Sequence, residues 1–186
     1  LPETETYQYV RITINVSGYP SASLREFEIY NDETASTTPA NVNLASNKPV
    51  EASAEDGTMP ASNLTDDDPN SRWSSETDAT QWAYVDLGES YDMNYFSVIW
   101  ESASVYASSF NIYVSDDPDN WGTAVATVSD NATRNSEVTL DEMAHGRYVK
   151  LEVTKMHGYP SVSATDFQVM LKDSSQPIPQ DPEENV

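Results

Sequence analysis

The chain has 186 residues, 38% hydrophobic and 10% aromatic, which gives enough apolar material for a core. At roughly 100–200 residues per domain there is room for one full domain. With 9 Lys and Arg against 31 Asp and Glu the net charge is −22, which sets aside nucleic acid and anionic membranes as partners, because both demand a basic surface. Cysteine is absent, so neither a disulfide framework nor a thiolate zinc site can form, and no run approaches the roughly 20 apolar residues that span a bilayer.

From the N-terminus, Tyr9 to Ile14 and Glu26 to Tyr30 read as two strands joined through Gly18-Tyr19-Pro20-Ser21. This stretch repeats near the other end: Tyr148-Val149-Lys150-Leu151-Glu152-Val153, Gly158-Tyr159-Pro160-Ser161 and Asp166-Phe167-Gln168-Val169-Met170. The second copy closes a domain, whereas the first has almost nothing before it. Residues 1–32 are therefore expected to be the last two strands of a preceding similar domain, with a native N-terminal hairpin as the alternative. Val10, Ile12, Ile14 and Val16 share one face that needs a cover, so residues 7–30 are expected to pair with another chain, a missing fragment or the main domain. The chain starts with neither Met nor a basic leader and reads as a piece of a longer protein. Residues 33–40 form a polar linker.

Between residues 41 and 172 the pattern is one of strands. Ala83, Val85 and Leu87 alternate with polar or aromatic neighbours, as do Phe96, Val98 and Trp100, then Phe110, Ile112 and Val114, then Val149, Leu151 and Val153. Turn clusters such as Asp116-Asp117-Pro118-Asp119-Asn120 separate them at short intervals, and no segment carries a sustained helical stripe. The expected fold is an all-β sandwich. Residues 173–186, rich in Pro, Gln and Glu, read as an exit linker.

From Asn43 onward particular residues go further. Asn43-Leu44-Ala45 with Lys48-Pro49-Val50, Pro60-Ala61-Ser62-Asn63, Ser71-Arg72-Trp73-Ser74-Ser75, Gln81 to Gly88, Trp100-Glu101, Val114 to Asp117 with Asn120-Trp121, Arg147 to Leu151 and the closing Asp166-Phe167 run in order along about 130 residues. Together they resemble the coagulation factor 5/8 type C (discoidin-like) family, and within it the bacterial family 32 carbohydrate-binding modules. The resemblance implies a jelly-roll β-sandwich of the galactose-binding-domain type. It further implies a non-catalytic module of a larger secreted or surface bacterial protein, such as a glycoside hydrolase, whose partners are a glycan and the other modules of its own polypeptide. The alternatives are an adhesion or lipid-interacting discoidin domain, with Met59 and Val105-Tyr106 as apolar spikes, and a structural spacer.

The acidic turn Asn63 to Ser71 lies where such modules hold a structural calcium. A short run of carboxylates, a hydroxyl and carbonyls suits an ion that takes six to eight hard oxygen ligands. Carried over by position, the ligands are the carbonyls of Asn63 and Thr165, the side chains of Asp66, Asp68 and Ser71, and Asp166 from the last strand. The family has Gly where Asp67 stands, a position suited to positive φ.

For chemistry the sequence offers little. Its two histidines, His145 and His157, lie neither in metal-ligand spacing nor beside a nucleophile motif, so no catalytic residue is expected. Sugar recognition needs an aromatic ring against C–H faces and planar polar groups for hydroxyls, displayed on loops of a rigid scaffold. In the related modules those loops cluster at one end of the sandwich, here residues 55–59, 76–80, 101–106 and 156–159. The candidates are Tyr106 and Tyr159 as stacking rings, with Glu101, Asp78 and His157 as hydrogen-bonding partners. Tyr159 recurs as Tyr19, which fits a packing role equally, whereas His157 has no counterpart in the first copy. Trp73, Trp82, Trp100 and Trp121 fall at framework positions and are expected in the core. The acidity points to neutral glycans such as terminal galactose or N-acetylhexosamine rather than sulfated or uronate polymers.

Overall fold

The computed structural model describes residues 38–78 and 80–172, with residues 76 and 77 described through their backbone alone. The expectations for residues 1–32, the first part of the 33–40 linker and residues 173–186 lie outside the described residues.

Among the described residues, seven strands carry the fold: β1 (Val50–Ala52), β2 (Trp73–Asp78), β3 (Gln81–Trp100), β4 (Tyr106–Ser115), β5 (Ala126–Val128), β6 (Asn135–His157) and β7 (Ser161–Met170). One short 3₁₀ turn, Ala61–Leu64, precedes the acidic loop. All pairings are antiparallel along the path β2-β7-β3-β6-β4-β5, with β1 on the other side of β3.

The two long strands make this path a sandwich. Residues 81–86 of β3 pair with β1 and with residues 148–153 of β6, which also pairs β4. Farther along, residues 95–99 of β3 pair with the start of β6 and with β7. β3 and β6 thus serve a five-stranded layer at one end and a four-stranded layer at the other, the corner being made by bulges. Between Asp86↔Tyr148 and Tyr91↔Gly146, residues 87–90 of β3 face Arg147 alone. Between Met93↔Ala144 and Tyr95↔Thr139 the imbalance reverses, with residues 140–143 of β6 facing Asn94.

The alternation read from the sequence becomes the core. Ala83, Val85, Leu87, Phe110, Ile112, Val149, Leu151 and Val153 from one layer meet Trp73, Phe96, Val98, Trp100, Phe167 and Val169 from the other, all buried in one cluster. The Trp100 and Phe110 rings meet across the layers, 5.4 Å between centroids. Each buried indole N–H has an acceptor, Ser136 Oγ at 2.9 Å for Trp100 and the Ala54 carbonyl at 3.0 Å for Trp73. Burying those donors without partners would be destabilising.

Trp82 and Trp121 depart from the expectation. They are half-buried on the outer face of the five-stranded layer, because Trp82 occupies the strand phase opposite to Ala83 and Val85. There Trp82 stacks on Tyr84 (5.7 Å), Tyr84 meets Trp121 (5.5 Å) and Tyr148 (5.9 Å), and the Lys150 amine sits between the rings of Tyr113 (4.4 Å) and Trp121 (4.5 Å). Burial pushes the Lys150 amine below its ordinary range. The Tyr84 hydroxyl donates to Glu51 and is pushed up to about 12 by that bond, by burial and by the Glu51 charge. This is a second, smaller packed layer outside the sandwich.

Trp121→Ala would uncover Lys150 and Tyr84 together. It should lower unfolding stability by about 1–3 kcal/mol in urea titration, the sum expected of a ring pair and a partly desolvated cation–π contact. The Lys150 amine, followed by NMR, should rise toward its ordinary value.

Candidate functional site

One pole of the sandwich collects the ends of β2, β3 and β6 and the starts of β4 and β7. Strand register decides which side chains meet there. Tyr106 opens β4 opposite His157, the last residue of β6, and their rings stack at 4.6 Å with 16° between planes. The turn from Glu101 to Tyr106 closes on itself, Ser102 and Val105 exchanging backbone hydrogen bonds while Ser102 Oγ accepts from the Ser104 and Val105 amides. Gly158 lies directly against this turn with φ +84, and a Cβ there would fall 1.9 Å from the Ser104 carbonyl oxygen. Only a glycine permits that approach. The repeated Gly-Tyr-Pro-Ser segment therefore locks two loops together, and Tyr159 next to it stands 61% exposed.

Glu101 is not isolated on its loop. Arg72 Nη1 donates to Glu101 Oε2 and to Ser163 Oγ, both at 2.7 Å, and the Glu101 amide donates to the Ser163 carbonyl at 3.3 Å. The half-exposed Arg72–Glu101 pair presents a guanidinium and a carboxylate side by side, a fork suited to vicinal hydroxyls. Sequence reasoning passed over Arg72 as framework. The available signal was its place beside Trp73, since an inward tryptophan sends its strand neighbour outward.

Asp78 ends β2 opposite Ser161 and is exposed, and its carboxylate engages no other described residue. Two further carboxylates of this end are occupied: Glu55 accepts from the Ala61 amide at 2.8 Å, and Asp56 accepts from the Thr58 amide and hydroxyl. The register thus joins Tyr106 and His157 directly, sets Tyr159 two residues beyond and attaches Glu101 through Arg72, with Asp78 at the neighbouring strand end.

The acidic turn is folded on Ser71, whose Oγ lies 2.9 Å from Asp66 Oδ1, 3.1 Å from the Asp68 carbonyl and 3.4 Å from the Asn63 carbonyl. Asp67 takes φ 58, the conformation a glycine would adopt, and its carboxylate is held by the Ser46 hydroxyl and the Asn47 amide. Asp68 turns its carboxylate to the amide and side chain of Asn70, which hold it below the usual range. Asp166 is raised, chiefly by burial, with the charges of Asp67 and Asp66 adding to the shift. Among the described residues no three His, Asp or Glu side chains converge as a metal cluster. The oxygens gathered here are a mixture of carbonyl, hydroxyl and carboxylate. That mixture, with a raised and crowded Asp166, fits a hard divalent cation rather than a thiophilic one.

The F5/8 type C domain profile matches residues 49–166. The chain belongs to that family. Chitosan-binding module 1 of a chitosanase/glucanase from Paenibacillus sp. IK-5 is 34% identical, covering 69% of this chain and 98% of that one, with a TM-score of 0.62. Module 2 of the same enzyme, solved with chitotriose, is 26% identical over 69% and 99%, with a TM-score of 0.63. The family 32 module of Clostridium perfringens NanJ, solved with galactose, is 21% identical over 67% and 94% with a TM-score of 0.57, a likeness of fold alone. Among curated proteins none matches. These structural relatives are non-catalytic carbohydrate-binding modules, and the β-sandwich read from the sequence is theirs.

Gly158→Ala tests the loop lock. It should lower stability by about 1–3 kcal/mol, since a positive-φ strain and a backbone clash arise together. The same variant should broaden the NMR signals of Tyr106 and His157 while leaving the Trp73 and Trp100 indole signals in place.

Proposed function

We propose that this F5/8 type C domain is a non-catalytic carbohydrate-binding module of a larger secreted or cell-surface bacterial protein, a glycoside hydrolase, and that its loop pole holds amino-sugar chains. The observation that carries the reading is the Tyr106–His157 stack on the same pole as the Arg72–Glu101 fork and the exposed Tyr159 ring. Aromatic faces take the C–H surface of a pyranose, and the fork takes its hydroxyls. The net charge of −22 and the unengaged Asp78 favour a ligand that carries amines. Similarity to two chitosan-binding modules supports the same class. Terminal galactose and N-acetylhexosamine, the neutral glycans expected from the sequence, are the comparison ligands. A lipid-binding role has less behind it, because Met59, Val105 and Tyr106 are half-buried and the charge opposes anionic bilayers.

Titration calorimetry with glucosamine oligomers, N-acetylglucosamine oligomers and galactose decides among these. Glucosamine oligomers should bind, more weakly at high salt because the attraction is between exposed charges. Tyr106→Ala and Tyr159→Ala should each weaken binding about tenfold, or roughly 1.4 kcal/mol. Salt-independent binding of galactose or N-acetylhexosamine would replace the amino-sugar ligand with a neutral one. Silence with every sugar in a folded protein would overturn the binding reading and favour a spacer.

We also propose that Asn63, Asp66, Asp68, Ser71, Thr165 and Asp166 hold a structural calcium. The ion would neutralise the repulsion between Asp166 and the Asp66–Asp67 turn and tie that turn to β7. Without calcium, Asp166 is a carboxyl raised in the folded state, so its ionisation opposes folding and stability falls as pH rises through its folded value. Asp166→Asn should then leave the melting temperature in chelator unchanged or higher at neutral pH, and should abolish the gain on adding calcium. For the wild type that gain is about 2.7 kcal/mol at a calcium concentration 100 times its dissociation constant. An equal calcium response in the two proteins would refute the site.

A further inference from the structure

A groove of about 310 Å³ lies on the outer face of the four-stranded layer. Its floor is a single row of the sheet: Ile99 of β3 stands opposite Asp166 of β7 on one side and opposite Asn135 of β6 on the other. Gln168, from the next row of β7, extends the floor, and the acidic turn at Asp67–Pro69 and the side chain of Arg134 form its walls. With neighbouring strands about 4.8 Å apart, the row is roughly 10 Å wide, the breadth of one pyranose ring with its substituents.

The lining is chemically directed. Arg134 gives Nε to the Trp100 carbonyl at 3.0 Å, and among the described residues no carboxylate pairs with its guanidinium. The Asn135 carboxamide engages no other described residue, whereas the Gln168 amide donates to Asp166 Oδ2 at 2.8 Å. Planar donors and acceptors surround a small apolar patch, Ile99 on the floor and Pro69 on the wall, a combination that orients hydroxyl-rich rings.

The groove also adjoins the loop pole. Ile99 lies at the end of β3 and Glu101 is the first residue beyond it, two positions on and about 6–7 Å away at the usual strand rise. Two arginines bracket them, Arg134 on the Trp100 carbonyl and Arg72 on the Glu101 carboxylate. We infer that the Arg134–Asn135–Gln168 groove is a further sugar subsite, taking another ring of the oligosaccharide held at the loop pole. The module then reads an internal stretch of chain rather than a terminal sugar. This rests on the carbohydrate-binding reading above. Asp166 and the acidic turn are shared with the calcium seat, but Arg134 and Asn135 are not, so substitutions there address the groove alone.

The test is a length series of glucosamine oligomers, dimer to tetramer and longer, titrated into the full chain with calcium present. For the wild type, affinity should climb with each ring up to the tetramer. Arg134→Ala and Asn135→Ala should bind the dimer as the wild type does but lose the climb, weakening tetramer binding about five- to tenfold. Melting temperatures in parallel show whether Arg134→Ala unsettles the fold, and Asn135→Ala, which gives up no bond within the described residues, carries the test if it does. A flat length dependence in the wild type, or variants that follow the wild-type climb, would overturn the subsite while leaving the loop pole intact. Wild-type protein that binds no oligomer of any length would overturn both readings together.

Discussion

The fold depends on β3 and β6 turning a corner as a pair. Each strand serves both layers, so any slip between them would move the inward set of one layer to the outside. The two bulges prevent this by cancelling: four residues of β3 against one of β6, then one of β3 against four of β6, so that pairing resumes in its original register. The corner between them is pinned. Arg147 grips Asp86 through two bonds of 2.7 Å, and that guanidinium holds the Asp86 carboxyl below its usual range. Gly146 lies so close to β4 that a Cβ would come 2.8 Å from the Val114 methyl and 3.0 Å from the Ser115 carbonyl. With register restored on both sides, Ala83, Val85 and Leu87 point into the same core as Phe96, Val98 and Trp100.

The poles follow from that geometry. β7 runs from the loop pole at Ser161 to Met170, nine residues on or about 30 Å away. There the described segment both begins and ends, Asn41 donating to the Leu171 carbonyl and Leu44 to the Val169 carbonyl, each at 2.8 Å. The pole carrying Tyr106, His157 and Tyr159 is therefore the one from which no chain end of the described segment emerges. Its loops are held against one another, as the Gly158–Ser104 contact shows.

Periodicity in the sequence identified the strands well, because burial on one face writes a two-residue alternation directly into residue type. Val149, Leu151 and Val153 are buried as that alternation requires. What periodicity cannot read is the far side of the same strands. Trp82 and Tyr84 look like core residues by hydropathy, yet their phase sends them outward, and only the return of Trp121 and Lys150 over them makes that face a packed layer. The loop pole was legible as a set of loops, since Tyr106 and His157 fall at strand ends, but their stacking depends on a register between residues 51 apart in the chain. Arg72 escaped notice because its partners, Glu101 and Ser163, lie 29 and 91 residues away. The groove at Arg134 was invisible for a similar reason: Ile99, Asn135 and Asp166 become neighbours only when three strands align.

The acidity of the chain means something narrower than its net charge suggests. Many carboxylates serve as acceptors that hold turns and strand faces: Glu55 for the Ala61 amide, Asp56 for Thr58, Asp117 for the Asp119 amide, Asp86 for Arg147, and Glu152 for Asn111 and Tyr113. A carboxylate so engaged still contributes to the long-range field, which raises the local concentration of a cationic chain and fades with salt. Its orientation is fixed by the turn or strand it holds, so it is less free to turn toward a particular amine. On the proposed reading, specific contact falls to groups facing outward at the pole and the groove, Asp78 for an amine and Arg134 for hydroxyls, and to the exposed Tyr159 ring. Attraction and recognition are thus carried by different residues of one acidic surface. On the proposed reading, neutralising charge far from the pole would slow encounter with an amine-bearing chain, while substitution at Tyr106 or Arg72 would shorten the life of the complex.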